Sequence, residues 1–365
     1  MFQQNAVVWT GSGLHVASRD LPTPRGSEVI LRLDAVGLCS SDFHIWCGRK
    51  SARSGVLGHE GAGTVMSVGE RVTRWSPGDF AIVNPLLNCG RCEACRRSLG
   101  HICPDREIVG YNGIGLTATA QLLDERCLVS PPPGFPRQHG SLVEPLACVI
   151  HGQRRLDLAA PEENMLILGS GPMGVMHATV ARARGVRRVW VCDRDQSKLD
   201  LARSKGVWAD EWIPLPHLAD AIADLTDGQG AAVTVIANSM RDGHQPAVEV
   251  TRAGGHVLAF ASIMDAPGPL ALPHGVVDSD DIHRREDRVE VATERGPVTI
   301  VGCIGFDAAS FAEAVGLVPQ IDGSTFITAV RRLEDVPSLV QGEWTKHLKI
   351  VIYPGNGAHA AHRES

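Results

Sequence analysis

The sequence predicts an α/β protein with two domains, a β-rich lobe and a parallel sheet covered by helices on both faces. A chain of 365 residues is long for a single hydrophobic core. Residues 1 to about 130 are rich in β-branched residues, glycine and proline, which is typical of short strands joined by turns. After the Pro131–Pro133 run, strand and helix patterns alternate, and this alternation indicates a parallel sheet.

The elements of the β-rich lobe are predicted from apolar alternation and turn residues. The N-terminal stretch Met1–Trp9 has the pattern of a first strand. Val29–Leu33 alternates in part, and Gly61–Gly69 has the pattern of a strand with a bulge. These short strands indicate a lobe that resembles a barrel.

The second half of the chain predicts strands and helices in turn. Met165–Leu168 is a short apolar run of the kind found in buried strands, and a helical pattern over Met173–Arg184 follows it. The pattern then repeats with a strand at Arg188–Cys192 and a helix at Ser197–Lys205. Further strands are predicted at Val233–Ile236, His256–Phe260 and Val298–Val301.

Composition and charge exclude several classes of protein. The net charge is −6 and no basic block is present, so no nucleic-acid partner is expected. No apolar run approaches the roughly 18 residues that span a bilayer, and the N-terminus lacks a signal-peptide pattern. Six of the ten cysteines are scattered singly, which favours a reduced cytoplasmic enzyme without a membrane partner.

Four cysteines form the most specific pattern in the chain. They follow the spacing C-x2-C-x2-C-x7-C at Cys89, Cys92, Cys95 and Cys103. Four thiolates at these spacings can fill every position of a tetrahedral Zn²⁺ site, so such a metal would be structural and the chemistry would lie elsewhere. Four unrelated cysteines are the alternative, but the residues between them are not core apolar residues.

A second motif predicts a dinucleotide site. The sequence G-x-G-x-x-G at Gly169, Gly171 and Gly174 follows a predicted strand and opens a predicted helix. Asp193, at the end of the next strand, can accept hydrogen bonds from ribose hydroxyls and repel a 2′-phosphate, which favours NAD over NADP. Arg194 weakens this preference, because an arginine there can accommodate a phosphate. An ordinary strand–helix turn and a helix cap at Asp193 are the alternatives.

Three separate stretches carry residues that could form a catalytic metal site. They contain Cys39, His59 and the carboxylates of Glu60 and Glu144. A catalytic Zn²⁺ takes three protein ligands and keeps one position open, and it can polarise a substrate oxygen. Spacing alone does not show that these residues meet, since a lone cysteine or histidine is commonly a core residue.

Together these motifs resemble the zinc-dependent medium-chain alcohol/polyol dehydrogenases, in order and spacing, over nearly the whole chain. The resemblance is strongest to the sorbitol, threonine and cyclitol dehydrogenases, because Glu144 stands where the ethanol-type enzymes have a cysteine ligand. It implies a GroES-like catalytic domain over residues 1–152 and 304–365. It also implies a Rossmann NAD-binding domain over residues 153–303.

The resemblance also implies a role for each site residue. Two zinc ions per chain are expected, one of them catalytic and one structural. The residues concerned are Cys39, His59, Glu60 and Glu144 for the catalytic zinc, Cys89, Cys92, Cys95 and Cys103 for the structural zinc, Ser41 and His44 for a proton relay, and Gly169, Gly171, Pro172, Met173, Gly174, Asp193 and Arg194 for the cofactor. A homodimer or homotetramer with a small-molecule substrate is expected.

The leading hypothesis is a dehydrogenase that transfers a hydride between NAD and a secondary alcohol of a polyol, sugar or cyclitol, with an aminocyclitol as one option. The alternatives are a primary alcohol or aldehyde dehydrogenase of the same family, or an inactive zinc-stabilised nucleotide-binding protein. The charged segment 265–297 is interpreted as a solvated loop and edge strand, with a substrate or subunit contact as the alternative.

Overall fold

The fold was analysed on a computed structural model that describes residues 2–49, 55–156, 164–263, 268–272, 275–339, 342 and 344–355. The chain divides into two compact units. Unit 1 contains Met1–Pro145 and Asp307–Ser365, and unit 2 contains Leu146–Phe306. No helix in the described part of the chain is long and apolar enough to cross a membrane.

The strands, in chain order, are β1 (Phe2–Trp9), β2 (Leu14–Leu21), β3 (Glu28–Leu38), β4 (Glu60–Val68), β5 (Phe80–Val83), β6 (Leu86–Leu87), β7 (Glu107–Ile108), β8 (Ala120–Asp124), β9 (Leu128–Val129), β10 (Asn164–Leu168), β11 (Arg188–Asp193), β12 (Glu211–Pro214), β13 (Ala231–Ile236), β14 (Thr251–Ala259), β15 (Leu270–Leu272), β16 (Gly275–Val277), β17 (Arg288–Val291), β18 (Val298–Gly302), β19 (Ile327–Arg331) and β20 (Lys349–Ile352). The helices are α1 (Ser40–Trp46), α2 (Glu93–Arg96), α3 (Val143–Arg154), α4 (Pro172–Ala183), α5 (Gln196–Ser204), α6 (Leu218–Leu225), α7 (His244–Val250), α8 (Ser279–Arg285), α9 (Ala308–Leu317) and α10 (Val336–Leu339).

Unit 1 is built on a sheet that joins both ends of the chain. Its strand order is β19-β20-β3-β4-β5-β9, and β8 also pairs with β3. β3 is the long central strand, and its side chains Val29, Leu31 and Leu33 are buried in the largest apolar cluster of this unit. Leu333 and Ile350, from the C-terminal part of the chain, pack in the same cluster. The β-rich half of the predicted fold is therefore confirmed, with strands contributed from the far end of the sequence.

Unit 2 is a doubly wound sheet. Its strand order is β12-β11-β10-β13-β14-β18-β17, and the first six of these strands run parallel. The run Ala231–Ile236 is buried along its whole length, as expected for a strand with both faces covered. β14 begins at Thr251 rather than at His256, because Gly254 and Gly255 in the middle of the strand interrupt its sequence pattern. The predicted α/β class is confirmed.

The charged segment 265–297 contains the edge of this sheet. β17 pairs antiparallel with β18, and the turn between them is closed by reciprocal backbone bonds of Thr293 and Gly296. Arg288 and Glu290 are exposed on β17, as is common for an edge strand. Residues 265–267 and 273–274, which the interpretation also covered, lie outside the described residues.

A fully buried histidine lies inside unit 2. His177 is on α4, and its ring packs edge-on against Phe260 with 4.5 Å between ring centroids. The Gln153 side-chain amide donates to the His177 carbonyl at 2.9 Å and lies 3.2 Å from Nδ1. Burial, with a smaller effect of Arg184, lowers the pKa of His177 from 6.5 to about 3. The imidazole is therefore neutral in the folded protein at neutral pH.

This buried histidine predicts a loss of stability in acid. The unfolded chain binds a proton at position 177 below pH 6.5, while the folded chain does so only near pH 3. Between these values the free energy of unfolding falls as the pH falls, by about 1.4 kcal/mol per pH unit from this group. We expect His177→Gln to show a shallower decline in urea unfolding measured between pH 6.5 and 4.5.

The exposed His15 provides the matched control, since His15→Gln removes a histidine that water reaches freely. This control is expected to keep the pH slope of the wild type. Equal slopes for His177→Gln and the wild type would contradict the prediction.

Candidate functional site

One buried carboxylate joins two of the predicted site segments. Asp42 lies in the first turn of α1 and is completely buried. Its Oδ2 accepts the backbone N–H of Cys39 at 3.0 Å, and its Oδ1 accepts the backbone N–H of Gly58 at 3.1 Å. The residue before α1 and the residue before His59 are thus held by one side chain.

The same carboxylate lies beside the predicted histidine ligand. Nδ1 of His59 is 3.8 Å from Oδ1 of Asp42, and both side chains are buried. Burial lowers the pKa of His59, but the neighbouring Cys39 and Asp42 outweigh it and raise the pKa well above its ordinary value. Burial raises the pKa of Asp42, although His59 opposes this effect. The raised pKa of His59 indicates a negative electrostatic potential around the imidazole, and such a potential would also favour a bound cation.

Three predicted metal ligands come together in unit 1. One ligand atom from each of Cys39, His59 and Glu60 can be chosen so that all three lie within 4.8 Å of one another. A thiol, an imidazole and a carboxylate are the donors that Zn²⁺ accepts in proteins, so this set fits a zinc ion. Glu144, near the start of α3, is not in this closest group. Burial, Cys39 and Asp42 have larger effects on the pKa of His59, as burial and Glu60 have on that of Lys349, and the Glu144 charge adds a smaller upward contribution to both. Both predicted carboxylates, Glu60 and Glu144, therefore contribute to the raised pKa of Lys349.

Glu60 also has a cationic partner that the sequence analysis did not identify. Lys349 forms an ion pair with Glu60, and both side chains are almost fully buried. The Lys349 ammonium also donates to the Leu38 carbonyl at 3.1 Å. Between them, on β3, stands Gly37, where any side chain would collide with the Glu60 carboxylate. β4 thus carries the buried carboxylate, β20 carries the ammonium that neutralises it, and β3 leaves room for both at Gly37.

The predicted relay residues lie on α1, beside the metal ligands. Ser41 and His44 are three positions apart, so their side chains lie on neighbouring parts of one helical face. The His44 ring is 6.3 Å from the ring of Trp344. Tyr111 also belongs to this region, since its ring is 5.3 Å from that of His59. Burial and the charge of Cys39 raise the pKa of Tyr111 well above its ordinary value, and the nearby Ser41 hydroxyl partly opposes them, so the phenol keeps its proton.

The four-cysteine motif forms a second compact donor set. One sulfur from each cysteine lies within 4.8 Å of the others. Cys92 begins α2, and its Sγ is 3.5 Å from that of Cys95 and 3.7 Å from that of Cys103. The backbone N–H groups of Arg91 and Cys92 lower the pKa of the Cys89 thiol to about 6. A thiol that ionises near neutral pH is a ready ligand, so this set also fits zinc.

The glycine motif in unit 2 forms a strand–turn–helix. β10 ends at Leu168, Gly169 has a φ of 113°, and α4 begins at Pro172. A side chain at Gly174 would collide with the carbonyl of Gly169, so the helix can approach the turn only with glycine there. Met173 follows Pro172 in the first turn of α4. No side chain caps the N-terminus of α4, so its backbone N–H groups can bind a pyrophosphate, and the loop fits a dinucleotide.

Asp193 lies at the edge of this loop. Its Oδ2 accepts the Ser170 backbone N–H at 2.7 Å and the Ser170 hydroxyl at 2.9 Å. Its Oδ1 accepts the backbone N–H of Asp195 at 3.0 Å, and it is Asp195 that caps α5. The carboxylate is therefore fixed beside the loop. Arg194, the next residue, forms an ion pair with Asp242 at 3.4 Å.

Three residues of the catalytic region were not identified from the sequence, namely Asp42, Tyr111 and Lys349. Lys349 had one available signal, because it interrupts the apolar run Leu348–Ile352. Asp42 stands in the quoted motif around Cys39, yet its role depends on a contact with Gly58 that the motif does not contain.

Two family profiles match the chain. Residues 25–133 match the alcohol dehydrogenase GroES-like domain, and residues 172–318 match the zinc-binding dehydrogenase domain. Among solved structures, a zinc-binding dehydrogenase from Sinorhizobium meliloti bound to NADP has a TM-score of 0.81. It is 22% identical, and the alignment covers 97% of this chain and 100% of that one. This similarity shows the shared fold.

Two named relatives are also similar in sequence. A 2-dehydro-3-deoxy-L-galactonate 5-dehydrogenase from Pseudoalteromonas atlantica is 29% identical over 86% of this chain and 87% of its own. An L-threonine 3-dehydrogenase from Saccharopolyspora erythraea is 30% identical over 67% of this chain and 72% of its own. The motifs, the fold and these matches agree, and the chain belongs to the family of zinc-dependent medium-chain alcohol and polyol dehydrogenases.

Proposed function

We propose that the protein transfers a hydride between NAD and a secondary alcohol of a polyol, sugar or cyclitol. The observation that carries this proposal is the compact group of Cys39, His59 and Glu60. The nearby Glu144 charge contributes to the raised pKa of His59. The two relatives are dehydrogenases of small hydroxylated acids, which supports a small substrate with several polar groups.

Zinc would be held at two places in each chain. Cys39, His59 and a carboxylate from Glu144 or Glu60 would leave one position for substrate, while the four cysteines of the second set would leave none. When bound, the zinc ion at Cys39 and His59 would polarise a substrate oxygen, and the nicotinamide would carry the hydride. The side chains of the protein would position the substrate and transfer its proton.

The substrate hydroxyl must lose a proton during oxidation. In our proposal the Ser41 hydroxyl accepts it and passes a proton on toward His44, which lies on the same helical face. Tyr111 remains a neutral phenol close to Ser41 and can help to orient the serine hydroxyl. Asp42 holds the start of α1, and through it this relay, in place against His59.

The adenosine end of the cofactor would lie against the loop after β10. Gly169, Gly171 and Gly174 would bring the backbone close to the pyrophosphate, and Asp193 would accept hydrogen bonds from the ribose hydroxyls. The fixed carboxylate favours NAD, and NADP remains the less favoured cofactor. The cytoplasmic location and the homodimer or homotetramer stay predictions.

A substrate screen tests the proposal directly. The purified, zinc-loaded protein should reduce NAD when polyols, cyclitols, sugars or threonine are supplied. The formation of NADH is measured by its absorbance. Rates on secondary alcohols should exceed those on matched primary alcohols. Faster rates on primary alcohols would favour the primary-alcohol alternative. Nucleotide binding and two zinc ions without turnover on any of these alcohols would refute the proposal.

The group of Cys39, His59 and Glu60 predicts that a change at one of these ligands removes one zinc ion and the activity. In Cys39→Ser the catalytic zinc loses a ligand, so metal analysis should give one zinc per chain instead of two. Turnover should fall by about a thousandfold or more, the scale expected when several kcal/mol of charge stabilisation is lost. NAD binding, measured by calorimetry, should remain.

The matched control is Cys92→Ser, which alters the other donor set. This variant should also bind one zinc, but the remaining zinc should support turnover in the folded fraction. A Cys39→Ser protein with two zinc ions and full turnover would show that Cys39 is not a ligand.

The ion pair of Glu60 with Lys349 predicts a large effect on stability. Lys349→Met leaves the Glu60 carboxylate buried without its cation, and breaking a buried pair on one side costs about 3–5 kcal/mol. In urea unfolding of the metal-free protein, we expect a clearly lower midpoint. Adding Glu60→Gln to the same protein should recover most of the loss, since a neutral amide then replaces the carboxylate that Lys349 had neutralised. An unchanged midpoint in Lys349→Met would contradict this account.

A further inference from the structure

An ion pair lies at the edge of unit 2 where the cofactor loop is found. Nη1 of Arg194 is 3.4 Å from Oδ2 of Asp242. Arg194 directly follows β11, and Asp242 stands in the connection between β13 and α7. β11 and β13 are the two strands that flank β10, and all three run parallel. Their carboxyl ends therefore share one edge with the loop that begins at Gly169.

A 2′-phosphate on the adenosine ribose would have to be accommodated at this edge. Asp193 would repel it, because the carboxylate is fixed there by Ser170 and Asp195. An arginine next to such a carboxylate can nevertheless bind a 2′-phosphate, and Arg194 has the right position in the sequence for that role. The preference for NAD or NADP therefore depends on which group the Arg194 guanidinium contacts.

In this structure the charge of Arg194 is directed to Asp242. The Asp242 carboxylate compensates part of the positive charge of the guanidinium, so Arg194 attracts a phosphate less strongly than it would without this neighbour. The adjacent Arg241 offers no easy replacement, since its guanidinium donates to the carbonyls of Gly268, at 3.0 Å, and of Pro269.

We infer that Asp242 is a specificity-determining residue, which engages Arg194 and so disfavours cofactors that carry a 2′-phosphate. This inference rests on the proposed binding of a nicotinamide nucleotide at the Gly169 loop. A purely structural role for the pair is the weaker explanation. Its side chains are 50% and 62% exposed, and exposed ion pairs add little to stability.

The test uses two small ligands that carry only the adenosine end, adenosine 5′-monophosphate and adenosine 2′,5′-bisphosphate. Their dissociation constants are measured by calorimetry on the zinc-loaded protein, together with those of NAD and NADP. In Asp242→Asn the bisphosphate should bind about three to five times more tightly, which is the scale of one exposed ion pair. Binding of the monophosphate should change less than about twofold.

Two further variants separate this mechanism from a general effect of charge. In Arg194→Ala, the added change Asp242→Asn should have no effect on the bisphosphate, because the guanidinium that it would release is gone. Asp224→Asn removes one negative charge from an exposed position on α6 and should leave both dissociation constants unchanged.

Each result decides the matter. A selective gain for the bisphosphate that requires Arg194 supports the inference. An unchanged ratio of the two dissociation constants in Asp242→Asn, or an equal gain without Arg194, overturns it while the proposed function stands. A wild-type protein that binds neither the monophosphate nor NAD would overturn the proposed function, and the inference with it.

Discussion

The predicted catalytic region depends on one buried carboxylate, that of Asp42. A carboxylate inside a protein is costly unless its lone pairs are used, and Asp42 uses them on the backbone at Cys39 and at Gly58. These bonds tie a helix start to a strand start, and the predicted thiol and imidazole ligands are attached to those two points. The position of His59 relative to Cys39 is therefore set by the interior of unit 1, before any metal binds.

The second constraint is the balance of charge around that carboxylate. Asp42, Glu60 and Glu144 are all acidic and buried, and their charges act on His59 or Lys349. Lys349 is the buried cation that pairs with Glu60. A divalent cation would add positive charge to the same volume, which explains in electrostatic terms why such a crowded acidic interior is compatible with a stable fold.

Features coded by neighbouring residues could be predicted from the sequence, and features that depend on distant contacts could not. The cysteine motif and the Gly169 loop each lie within about fifteen residues, so their spacing reveals their geometry. The parallel sheet was predictable because most of its strands are apolar runs, whereas the short strand β12, which begins with Glu211 and ends with Pro214, was not predicted. Tyr111 and Lys349 reach the predicted catalytic region from remote parts of the chain. The apolar run Leu348–Ile352 marks Lys349 as unusual, but no local pattern shows which residues it or Tyr111 contacts. The antiparallel edge strand β17 was likewise only partly foreseen, since its charged residues also suit a solvated loop.

The contact of Lys349 with Leu38 spans 311 positions of the sequence, and this separation has a consequence for the order of folding. Unit 2 is one continuous stretch, so all of its strands leave the ribosome before β20 does. β3 and β4 are made early, but they lack their neighbour β20 until almost the whole chain has been synthesised. During that interval Glu60 has no ammonium partner from β20. Completion of the predicted catalytic region is therefore a late step in the biogenesis of this protein, governed by the closure of a loop of 311 positions.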